Sequence, residues 1–101
     1  MSEPDVIVRP KTRTRVARPK LYRVVLLNDD FTPREFVCLV LRAVFRLPPP
    51  QAESVMLTAH QRGACVVAVY TKEVAETKAA NAHALAAENG HPLAFRVEPE
   101  D

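Results

Sequence analysis

The chain has 101 residues, 48% of them hydrophobic, enough for one domain with a small core. Its net charge of +2 is uneven: residues 1–20 hold six basic and two acidic residues, and residues 21–101 hold eight basic and ten acidic. The mildly acidic remainder argues against a nucleic-acid-binding domain, no apolar run is long enough to cross a bilayer, and two isolated cysteines, Cys38 and Cys65, fit reduced thiols rather than a disulfide framework.

Residues 1–20 contain prolines at 4, 10 and 19, no sustained apolar period and no apolar stretch of the signal-peptide kind. They are expected to form a disordered basic arm. "LYRVVLL", residues 21–27, predicts a strand that is buried over most of its length. "FTPRE" predicts a helix start, with Thr32 as cap, Pro33 as first helical residue, Glu35 closing a capping box, and Phe31 stapled to Phe36. Phe36, Val37, Val40, Leu41 and Val44 share one helical arc, so the helix is expected to run to about Arg46.

"LPPP" interrupts the chain and restarts it. From about Pro50 to Arg62, the residues Ala52, Val55, Met56, Ala59 and His60 lie on one helix face, and Gly63 is a natural stop. "ACVVAVY" reads as a buried strand. An alanine-rich helix follows from a Thr71 cap, with Gly90 at its end. "PLAFRVE" alternates Leu93, Phe95 and Val97 as a last strand. The expected fold is a single α+β domain over residues 21–101, β-α-α-β-α-β, with helices packed on a small antiparallel three-stranded sheet.

The polar cluster Asn28, Asp29 and Asp30 ends the first strand. Such residues serve turns well, and acids before a helix suit its positive end. With Thr32 taken as the cap, three further acceptors exceed what the helix start needs. Clustered oxygens suit an ammonium, which presents three charged donors. His60, four residues after Met56, is either a half-buried structural histidine or a polar contact at the rim of an apolar pocket. A metal site from Asp29, Asp30 and His60 has no ligand spacing to support it. No serine or cysteine has a nucleophile's context, and no glycine-rich phosphate loop is present.

The segments "VVLLNDDFTPREFV", "MLTAHQRG", "VYTKEVAETKAA" and "HPLAF", in this order and spacing, resemble the ClpS adaptor family over residues 21–97. The resemblance implies a non-enzymatic, cofactor-free cytoplasmic adaptor. Such proteins bind N-degron substrates beginning with Phe, Tyr, Trp or Leu and deliver them to the ClpA unfoldase, an AAA+ ring, of the ClpAP protease. It further implies that Asn28, Asp29 and His60 hold the substrate's α-amino group and that Asp30 shapes the rim. Thr32, Arg34, Val37, Met56, Ala59 and Leu93 would line the side-chain pocket, and Glu73 and Lys78 would contact the unfoldase. Arg34 stands where the family commonly has Met, and Ala59 where it usually has Val, so the substrate range is open. A monomer without nucleic-acid or membrane partners is expected. The alternatives are a ribosome- or RNA-associated domain, suggested by the basic arm, and a small metalloprotein.

Overall fold

A computed structural model of the protein describes residues 18–101. Most of the expected basic arm, residues 1–17, lies outside the described residues. The elements are β1 (Leu21–Leu27), α1 (Arg34–Ala43), α2 (Pro49–Arg62), β2 (Ala64–Thr71), α3 (Lys72–Glu88) and β3 (Ala94–Pro99). The expected α+β order is therefore present, and the three strands form one antiparallel sheet in the order β2-β1-β3.

β1 takes the middle because it alone has a central run buried on both faces: Val24, Val25 and Leu26 are all buried. Its Leu21 end pairs with Thr71, and its Leu27 end with Ala64 and Ala94. The pairing with β2 slips between Val24 and Val25, which leaves Val67 as an extra residue turned into the core.

The helices cover one face of the sheet, where Val24, Leu26, Val67 and Phe95 join the core cluster. The other face carries Val25 flanked by Val66 and Arg96, and Arg23 flanked by Val69 and Glu98. β2 is accordingly not a buried strand. It is a sheet edge with one uncovered face, and Val66 and Val69 are 45% and 38% exposed. On the same face the Nε atoms of Arg23 and Arg96 donate to Glu98 at 2.7 and 3.0 Å. Those two hydrogen bonds, the one from Arg23 first, hold the Glu98 carboxyl below its ordinary range.

In α1 the buried stripe is Val37, Val40 and Leu41, as the helical period predicts. The helix ends at Ala43, earlier than its apolar pattern suggests. Arg46 adopts a left-handed backbone with φ 61°, and Phe45 turns inward to meet Phe95 at 5.1 Å between ring centroids. Burying that ring outweighs a non-glycine left-handed residue, which costs about 1–2 kcal/mol.

α2 starts with Pro49 at its first position and stops at Gly63, whose φ of 91° suits glycine. α3 occupies the Thr71 cap position, although the threonine side chain makes no cap hydrogen bond. Its buried stripe is Ala75, Ala79, Ala82 and Ala86, small residues that let the helix lie close on the sheet. His83 Nε2 accepts the Phe95 backbone N–H at 2.9 Å, which satisfies a donor on the β3 edge.

Candidate functional site

The polar loop after β1 is organised by Asp29. Its Oδ1 accepts the backbone N–H groups of Phe31 at 2.9 Å and Thr32 at 2.7 Å. The Thr32 hydroxyl lies 3.0 Å from Oδ1 and 2.9 Å from Oδ2. Four expectations are corrected, one of them that Pro33 is the first helical residue, since α1 begins at Arg34. Thr32 does not cap α1: Pro33 is the cap residue and makes no side-chain cap bond, so no capping box forms. The Asp29 carboxylate is the stronger acceptor and engages the Thr32 hydroxyl itself, which keeps that hydroxyl from turning to the first amides of α1. Phe31 does not staple to Phe36: it is 82% exposed, and the Phe36 ring packs on His91 instead, at 4.5 Å between centroids.

The Asn28 backbone N–H donates to the Gly63 carbonyl at 3.0 Å, tying the loop to the end of α2. That bond brings the last turn of α2, and with it His60, beside the polar cluster. His60 is exposed rather than buried on the apolar helix face.

Between loop, α1, α2 and the start of β3 lies an open cavity of about 250 Å³. Its apolar wall comes from Val37 on α1, Met56 and Ala59 on α2, and Leu93 just before β3, all buried. Its rim holds Asn28, Asp29, Asp30, Thr32, Arg34 and His60. All ten residues expected at the amine site and pocket are thus brought together. Leu26, Leu27 and Pro33 also line it and were not anticipated. Their signal was adjacency alone, since they flank the polar cluster in the chain.

The geometry suits a ligand with two characters. The apolar wall has room for one side chain, and the oxygens of Asn28 and Asp29 with the His60 ring offer acceptors at the mouth. Asp29 Oδ2 shares only the Thr32 hydroxyl, so it keeps accepting capacity for an incoming cationic donor. Among the described residues no group of three His, Cys, Asp or Glu side chains could hold a metal ion. Burial pushes both thiols up, that of Cys38 and that of Cys65.

Glu73 and Lys78 lie away from this cavity, on α3, where they border a shallow groove with Val74, Thr77 and Asn81. Glu73 is exposed. Lys78 is half-buried, and its Nζ donates to the Val44 carbonyl at 2.9 Å and sits 5.8 Å from the Tyr70 ring centroid. It therefore satisfies a carbonyl freed where α1 ends. Lys78→Met keeps the apolar stem and removes the donor. It should lower stability by about 1–2 kcal/mol in a denaturant titration, and an unchanged midpoint would mean the bond contributes nothing.

The fold and site together define a small α+β domain with an apolar cavity under a polar rim. The family model "ATP-dependent Clp protease adaptor protein ClpS" matches residues 17–96. The chain is 56% identical over 99 residues to ATP-dependent Clp protease adapter protein ClpS 1 of Bradyrhizobium diazoefficiens, covering 96% of this chain and 98% of that one. It is 54% identical over 101 residues to ClpS 2 of Rhizobium meliloti, covering all of both. A solved structure of Agrobacterium tumefaciens ClpS2 bound to L-phenylalaninamide is similar at a TM-score of 0.80 and 57% identity, covering 82% of this chain and all of that one. The protein belongs to the ClpS family of Clp protease adaptors, which are not enzymes.

Proposed function

We propose that the protein recognises substrates by a free, bulky N-terminal residue, Phe, Tyr or Trp and more weakly Leu, and delivers them to a ClpA-type unfoldase of ClpAP in the cytoplasm. The observation that carries this reading is the convergence of Asn28, Asp29 and His60 at the mouth of an apolar cavity. An α-ammonium would donate to these three acceptors, His60 doing so as the neutral ring, while the first side chain enters the cavity. The relative bound to L-phenylalaninamide supports it, because that ligand offers a free amine and a benzyl group on one carbon. Titrating the protein with peptides that differ only in their first residue tests it. Binding of Phe and Ala peptides with equal affinity would sink the reading.

In this proposal Glu73 and Lys78 contact the unfoldase, and residues 1–20 serve delivery rather than peptide binding. The arm joins the domain at Leu21, which pairs with Thr71, whereas the cavity lining begins at Leu26. Most of the strand, about 17 Å, separates the two points. Deleting residues 1–20 should leave peptide affinity within about twofold and impair degradation of a delivered substrate. A tenfold loss of peptide affinity in the truncated protein would contradict this division of labour.

A further inference from the structure

We infer that Arg34 selects substrates with an acidic side chain at the second position. The inference rests on the proposed recognition of a free N-terminus and deepens it.

A guanidinium at this mouth is out of place for reading the amine alone. The bound group is a cation, and Asp29 and Asp30 on the rim attract it. Arg34 on the same rim repels it. Nor is Arg34 used inside the protein. It is exposed, and among the described residues its side chain makes no hydrogen bond or ion pair. The residues three and four positions on along α1 are Val37 and Cys38, so no carboxylate lies within reach on its own helical face.

Its position supplies the reason. Arg34 borders the cavity and also a shallow groove between α1 and α2, which has Met56, Leu57 and Glu53 on its other side. Cavity and groove share Arg34 and Met56, so they adjoin at these two residues. A chain whose first side chain fills the cavity must leave across this rim, and its second Cα lies only about 3.8 Å from its first. With the amine held at Asn28, Asp29 and His60, a chain that leaves on the Arg34 side places its second side chain beside that guanidinium. An unpaired guanidinium there presents a donor fork that fits a carboxylate and opposes a lysine. Farther along, the groove holds Glu35 and Glu53 against Arg42, so beyond Arg34 it carries no excess of positive charge to favour further acids.

The test uses the full chain and three peptides, Phe-Glu, Phe-Gln and Phe-Lys followed by one common neutral sequence, titrated at low and high salt against the parent and Arg34→Met. In the parent at low salt the Glu peptide should bind about threefold to tenfold tighter than the Gln peptide, with the Lys peptide weakest and the differences shrinking as salt rises. In Arg34→Met the order should reverse, because Asp29 and Asp30 then dominate the rim and favour Lys. Equal affinities for Glu and Gln in the parent, or a Glu preference that survives in Arg34→Met, overturns the inference. A guanidinium that only stacks on the first aromatic ring would change all three affinities together and leave their ratios at one, which also overturns it. Failure of every peptide to bind would instead defeat the recognition of a free N-terminus, and this inference with it.

Discussion

Acetylating the α-amine of a Phe peptide should raise its Kd by about 30-fold to 1000-fold, the equivalent of roughly 2–4 kcal/mol. The modification removes a charge and two of the donors from a group that Asn28, Asp29 and His60 would otherwise accept. It also leaves Asp29 Oδ2 facing an amide that satisfies it poorly. Isothermal titration of free and acetylated peptides measures the difference, and equal affinities would remove the amine site from consideration.

Two variants separate recognition from folding. Asp29→Asn keeps an Oδ1 acceptor for the Phe31 and Thr32 N–H groups, so the loop persists while the charge is lost. Asp29→Ala removes both and should lower stability as well as binding. His60→Ala should weaken binding with little change in stability, because the ring is exposed and makes no hydrogen bond among the described residues.

A preference for Phe over Leu should follow from Ala59, and Ala59→Val should narrow it. Ala59 is 2% exposed and forms part of the cavity wall. Relative to valine it leaves two methyl-sized volumes open beside the bound side chain. A flat ring can occupy that space, whereas a leucine leaves a gap. At about 0.8 kcal/mol per methylene, the contacts that leucine loses amount to roughly 1–2 kcal/mol. The guanidinium of Arg34 adds a cationic face that a ring can use and leucine cannot. Affinities for Phe and Leu peptides in the parent and in Ala59→Val decide the matter. Leu binding within about threefold of Phe in the parent, or no gain for Leu relative to Phe in the variant, would show that neighbouring side chains fill the space.

The order of elements was legible because each helix carries one apolar stripe, β1 and β2 carry β-branched runs, and β3 alternates Phe95 and Val97 with polar residues. Val37, Val40 and Leu41 on α1, and Ala52, Val55, Met56 and Ala59 on α2, are buried as their spacing requires. Individual residues pointed to Asn28, Asp29, Asp30 and His60 as unusual, but their grouping with Arg34 and Leu93, 59 positions apart in the chain, came from family resemblance. What stayed illegible depends on competition in space. The Thr32 hydroxyl can turn to the amides of the next helix turn or to the Asp29 carboxylate, and it turns to the carboxylate, which local spacing does not reveal. The bond from Lys78 to Val44 spans 34 residues and leaves no periodic trace. The exposure of Val66 and Val69 follows from β2 lying at an edge and from the helices covering one face only. A continuous apolar run such as "ACVVAVY" is the pattern of a strand covered on both faces, and it carries no mark of the open face that β2 has.

β1 is hydrogen-bonded along both sides, and it runs from the arm at Leu21 to the polar loop at Asn28. Tension applied before Leu21 would act along the strand axis and load both ladders in shear, so many backbone bonds would share the force before any one yields. The strand is also the direct covalent link to the loop. A pull strong enough to slide it would draw Asn28 away from its bond to the Gly63 carbonyl and open the cavity mouth from the far end of the sheet. The protein's mechanical resistance and its grip on a ligand therefore depend on the same seven residues.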